Sequence, residues 1–272
     1  MSSANPFLDP AMIHGDLYRT DNRLIGRTRA LHQAKIAGRD AAQVIVDLLA
    51  QRISPGAVVL DIGCGRGTTT LRIAAGLRPR RLIAVDASAA LLNTVRTRLA
   101  EVNEVGSTVC ADFHHLPLPD AMADAAVAAF CLYHSATPAA VVAEIARCLR
   151  PGGVAVLVTK SLDSYAELDL LVQAANLDPG TARRPSLYES FHSDNLLDLA
   201  ATHLTVLDVR HERHVFEFAD ATHLARYLAT TPKYRIHPAG GPAGLAAILR
   251  ERLPVPPYLT QSTVSYALAV RP

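Results

Sequence analysis

VVLDIGCGRGTTT, residues 58–70, is an apolar run that breaks into a glycine-rich loop. Val58, Val59 and Leu60 lead to Asp61, and Gly63, Gly65 and Gly67 follow at alternate positions. An apolar run without polar alternation reads as a parallel strand covered on both faces. Glycines at the end of such a strand let the backbone come very close to a ligand. A phosphate loop needs a lysine directly after its last glycine; Thr68 follows Gly67, so that class is excluded. The dinucleotide fingerprint needs GxGxxG, and Thr68 stands where its third glycine belongs. The spacing counts against a dinucleotide without removing it.

The segments around the loop alternate between strand and helix. Upstream, residues 29–52 have helical spacing, with Gly38 as a candidate break and Ser54-Pro55-Gly56 as a turn. Downstream come helix TTTLRIAAGL, strand RLIAVDAS and a helix that Ser88 can cap. Strand STVCAD and the apolar run AAVAAFCLYH follow. Thr137 can cap the next helix, with Pro138 at its first position, and VAVLVTK is the fifth strand. This order predicts an α/β fold with a doubly wound sheet. After Lys160 the pattern loosens into helices, an alternating stretch LTVLDVRHERHVFEF and a last strand STVSYALAVRP.

VLDIGCGRG also resembles the first motif of the class I S-adenosylmethionine (SAM)-dependent methyltransferases: two apolar residues, an acid, then three glycines at alternate positions. The resemblance runs for about a hundred residues and is of the small-molecule type. It implies a Rossmann-like, seven-stranded, mostly parallel sheet with a late antiparallel strand and a helical cap. It divides the chain into a helical lid (1–52), a SAM-binding core (53–160), and a cap insertion with the last strands (161–272). It gives Asp61, Gly63, Gly65 and Gly67 to the donor loop, with Asp61 acting partly through the loop's amides. Asp86 would bind the ribose hydroxyls, with Ala87 beside it, and Asp112 and Phe113 would bind the adenine. Phe130 would line the donor after the fourth strand. Tyr18 and Arg27, in the arginine-rich LYRTDNRLIGRT, would reach the methionine carboxylate from the lid. SAM is the implied cofactor and S-adenosylhomocysteine (SAH) the product.

Methyl transfer from a sulfonium requires alignment and exclusion of water, and a hydroxyl acceptor gains from a base near neutral pKa. His134, directly after the fourth strand, is the first candidate base and His192, in YESFH, the second. Tyr133 and Tyr188 are the candidate acceptor contacts. Asp124 reads as structural. The four cysteines, Cys64, Cys110, Cys131 and Cys148, form no CxxC pair, and no metal is expected.

The chain has 272 residues, half of them hydrophobic, and a formal net charge of +2. That balance gives no footprint for nucleic acid. No signal segment or membrane-length apolar run is evident, so a cytoplasmic protein is expected. The leading expectation is O- or N-methylation of a small molecule, a secondary metabolite by composition, by a monomer or homodimer without nucleic-acid or membrane partners. The open alternatives are a peptide or protein methyltransferase, and a non-catalytic SAM- or nucleotide-binding regulator.

Overall fold

The computed structural model describes residues 5–20 and 22–272; the first four residues and residue 21 of the expected lid lie outside that range. The strands are β1 (Lys35–Ala37), β2 (Val58–Ile62), β3 (Arg81–Asp86), β4 (Ser107–Cys110), β5 (Ala123–Ala129), β6 (Leu149–Lys160), β7 (Thr205–Phe218) and β8 (Tyr258–Val270). The helices are α1 (Pro10–Met12), α2 (Asn22–Ala34), α3 (Ala41–Ala50), α4 (Thr68–Leu77), α5 (Ala89–Glu101), α6 (Pro138–Cys148), α7 (Ala166–Ala174), α8 (Leu196–Ala201), α9 (Ala221–Thr230) and α10 (Gly241–Arg252). The sheet order is β1-β7-β8-β6-β5-β2-β3-β4. Strands β2 to β6 pair in parallel, and β8 runs antiparallel to β6. The expected α/β sheet is therefore present, with eight strands instead of seven. The addition is β1, antiparallel to β7, in a stretch that helical spacing alone had joined to its neighbours.

The chain divides into two compact units. One comprises residues 39–161, 188–212 and 264–272. Its core is built by the covered faces of β2, β5 and β6 with Val44, Ile45, Leu48 and Leu49 of α3, Ile73 of α4, and Leu92, Val95 and Leu99 of α5. Helix α3, assigned from sequence to the lid, thus belongs with the sheet, because its apolar stripe is buried there. Asp124 is structural, as expected: it accepts from the Val58 N–H at 2.7 Å and from Arg150 Nε at 2.6 Å, tying the starts of β2, β5 and β6.

The other unit comprises residues 1–38, 162–187 and 213–263. Helix α9 packs against α2 and α10. Arg23 Nε donates to the Thr230 carbonyl at 3.1 Å, and the His223 ring meets the Ala30 carbonyl at 2.9 Å. The Asp169 carboxylate takes Lys233 Nζ at 2.5 Å and the Tyr234 hydroxyl at 2.9 Å. Tyr18 and Arg27 lie in this unit, the Arg27 guanidinium 5.6 Å over the Phe7 ring. Among the described residues, no helix is long and apolar enough to cross a membrane.

Candidate functional site

In the unit that carries the parallel strands, β3 and β5 flank β2 on opposite sides, so the sheet changes winding direction there. Ligands of open α/β sheets bind outside the carboxyl ends of the strands at such a switch point. The glycine loop lies at that end of β2. Gly63, Gly65 and Gly67 have φ of 64°, 56° and 77°, the left-handed region that glycine enters without strain. A Cβ on Gly63 would stand 2.4 Å from Cys131 Cβ, so the loop is pressed onto the segment after β5. A Cβ on Gly67 would stand 3.0 Å from Val95 Cγ2 of α5. A Cβ on Gly65 would meet nothing within 4 Å. Two glycines therefore serve packing, and the middle one keeps a space open.

Asp86 closes this cradle from the end of β3. One carboxylate oxygen accepts from the Gly65 N–H and the other from the Ser88 N–H, each at 2.9 Å. Burial raises its pKa above the usual carboxylate range. Each oxygen keeps acceptor capacity beyond these two bonds. Asp61 behaves differently. It is 1% exposed, and its carboxylate accepts from Thr70 Oγ1 of α4 at 2.5 Å. Burial pushes its pKa up to about 7, against the pull of the Thr70 bond and with help from the Asp86 charge. Asp61 is a positioning residue that pins α4 behind the loop. Ala87 is exposed next to Asp86.

Beyond β4, Asp112 is an exposed acid and Phe113 is half-buried. Asp112 Oδ1 accepts from the His114 N–H at 2.9 Å and lies 2.7 Å from His114 Nδ1. Burial would raise its pKa, but these bonds and the neighbouring histidines hold it below the usual range.

The apolar run 125–134 does not stay extended. Strand β5 ends at Ala129, Phe130 turns left-handed at φ 58°, and Leu132–His134 form a 3-10 turn. This turn brings several side chains together. The Tyr133 ring meets the Tyr188 ring edge-on, with centroids 5.0 Å apart, and lies 4.9 Å from the His134 ring. Lys160, the last residue of β6, holds its ammonium 5.4 Å over Phe130 and 5.5 Å over Tyr188, within reach of cation–π attraction. Tyr188, expected in the cap, belongs to the unit that carries the parallel strands. Ser190 Oγ and Thr159 Oγ1 fasten its segment by donating to the Tyr133 and Phe191 carbonyls at 3.2 and 2.7 Å. Lys160 was missed by sequence reasoning, although it is one of only three lysines and ends the apolar strand VAVLVTK. His192 Nδ1 accepts from the Asp194 N–H at 3.3 Å, closing its own turn.

Residues 60–157 match the family described as a methyltransferase domain. A 37.1 kDa protein of transposon TN4556 from Streptomyces fradiae is 37% identical over 139 residues, covering 49% of this chain and 39% of that protein. A malonyl-[acyl-carrier protein] O-methyltransferase from Marinomonas sp. is 29% identical over 151 residues, covering 55% of this chain and 53% of that one. The chain thus spans about half or less of these relatives' lengths. Among solved structures, the [4+2]-cyclase SpnF superposes with a TM-score of 0.56 at 20% identity, over 94% of this chain and 97% of that one. At that identity the likeness is one of fold. The domain match identifies residues 60–157 as a methyltransferase domain, and the glycine cradle with the acid at the end of the second parallel strand lies within it.

Proposed function

We propose that the chain transfers a methyl group from SAM to an oxygen or nitrogen atom of a small molecule, of the kind made in secondary metabolism. The observation that carries this reading is the cradle of Gly65 and Asp86: open space over a bare Cα, with a half-buried carboxylate bonded beneath it. A sulfonium nucleoside has no pyrophosphate, so it needs a close backbone and a ribose acceptor, not a cluster of phosphate donors. When bound, SAM supplies an electrophilic methyl group with a neutral thioether as leaving group.

The chain's own residues then divide the work. Asp86 accepts from the ribose hydroxyls with the lone pairs that Gly65 and Ser88 leave. Asp112 and Phe113 take the edge and face of the adenine, and Ala87 and Phe130 flank the donor. Tyr133 and Tyr188 hold the acceptor in line. His134, half-buried beside Tyr133, takes the proton from a hydroxyl acceptor. The aromatic rings around Lys160 suit a planar small molecule better than a polypeptide, and the Marinomonas relative is named for O-methylation.

Calorimetric titration with SAH and with NAD tests the donor. SAH binding is expected to weaken about 10²-fold in Asp86→Ala, the loss of charge-assisted hydrogen bonds to two hydroxyls. Tight NAD binding without SAH binding would overturn the proposal.

A further inference from the structure

We infer that His114 is a positioning residue for the donor's base: a relay from Ser135 through His114 fixes the Asp112 carboxylate and so sets the preference for an amino-bearing purine. The inference rests on the donor reading above.

Asp112 follows β4, the edge strand of the sheet, and its side chain is 63% exposed. A carboxylate so exposed would ordinarily sample several rotamers and bind water. Here Oδ1 is held twice, by the backbone N–H and by Nδ1 of His114. Oδ2 is left to accept from a ligand. The far side of the imidazole is anchored as well, with Nε2 at 2.8 Å from Ser135 Oγ. Ser135 is 1% exposed, and its Oγ accepts from the Thr137 N–H at 2.9 Å.

For a neutral imidazole these bonds allow one arrangement of protons. An ionised carboxylate only accepts, so Nδ1 carries the ring proton. Nε2 then accepts, and the Ser135 O–H donates to it. Each donor in the chain Thr137 N–H, Ser135 O–H, His114 Nδ1–H meets one acceptor, ending at Asp112.

This order of groups is also that of a Ser-His-Asp hydrolase triad. A nucleophilic serine must present its oxygen to substrate. Ser135 is buried, and its oxygen is already occupied by a backbone amide. The relay therefore orients and does not attack.

The consequence is one of specificity. Adenine offers its 6-amino group to a carboxylate, whereas hypoxanthine offers a carbonyl oxygen. A fixed carboxylate repels that oxygen. A loose one swings away and takes water, so losing the relay lowers discrimination more than affinity.

The test is calorimetric titration of SAH and S-inosylhomocysteine, in which a carbonyl replaces the amino group. Wild-type protein should prefer SAH by about 10²-fold. His114→Ala should lower that ratio to about tenfold or less, with SAH affinity falling by a smaller factor. His114→Gln carries one amide donor and one acceptor, and should restore most of the ratio. If His114→Ala does not fold, Ser135→Ala removes the anchor alone and should shift the ratio the same way. An unchanged ratio in a folded variant overturns the inference, as does a wild type that binds both ligands equally. A wild type that binds neither overturns the donor reading itself.

Discussion

Gly63 and Gly65 look equivalent in the sequence, and their surroundings make them opposites. Both need the left-handed region, where an L side chain costs about 1–2 kcal/mol. Gly63→Ala adds an overlap with Cys131, and overpacking of this kind costs about a further 1–3 kcal/mol. It should lower the melting temperature markedly. Gly65→Ala bears only the backbone cost, but its methyl group enters the space read as the donor's seat. It should melt closer to wild type than Gly63→Ala does and lose SAH affinity, and SAH binding equal to that of wild type would contradict that assignment. His134→Ala should cost about 10²–10⁴-fold in turnover of a hydroxyl acceptor while leaving SAH affinity intact. An unchanged turnover would show that alignment alone suffices. The glycines and Asp86 were legible because motif spacing fixes backbone chemistry. The Tyr133, Tyr188 and Lys160 cluster was only partly legible, because its members meet through a left-handed Phe130 that no local pattern announces.

Helix ends show the same division between local rule and context. Ser88 caps α5 as expected, its Oγ accepting from the Leu91 N–H at 3.3 Å. Asp220 caps α9 likewise, accepting from the His223 N–H at 2.8 Å. Thr137 precedes α6 with Pro138 at its first position, yet its side chain makes no capping bond. Its N–H instead donates to Ser135, so the segment is used to hold the relay. Ser88→Ala should therefore destabilise by about 1 kcal/mol in denaturant titration, and Thr137→Ala by much less. Equal losses would contradict this account. The first helical stretch ends at Ala34, ahead of Gly38, and β1 follows because Lys35 and Ala37 find partners in Phe216 and Val215, far along the chain. Helical periodicity carries no information about so distant a partner.

Across the whole molecule, the buried Asp61 couples stability to pH. Its unfolded carboxyl titrates near 3.8 and its folded one near 7. Between those values the native state holds a proton that the unfolded chain has released, so stability falls as pH rises through the window. Asp61→Asn has no such proton. The melting temperature of wild type minus that of Asp61→Asn should therefore fall between pH 5 and pH 8, and a constant difference would remove Asp61 as the cause. The alternation of strand and helix, the glycine loop and the acids at strand ends were all readable along the chain. They depend on backbone conformation and on residues a few positions apart. Division into units, the eighth strand, the burial of Asp61 and the anchoring of His114 on Ser135 were decided only in three dimensions. Each depends on residues brought together by packing, and packing is a property of the assembled sheet and its helices, not of any one segment.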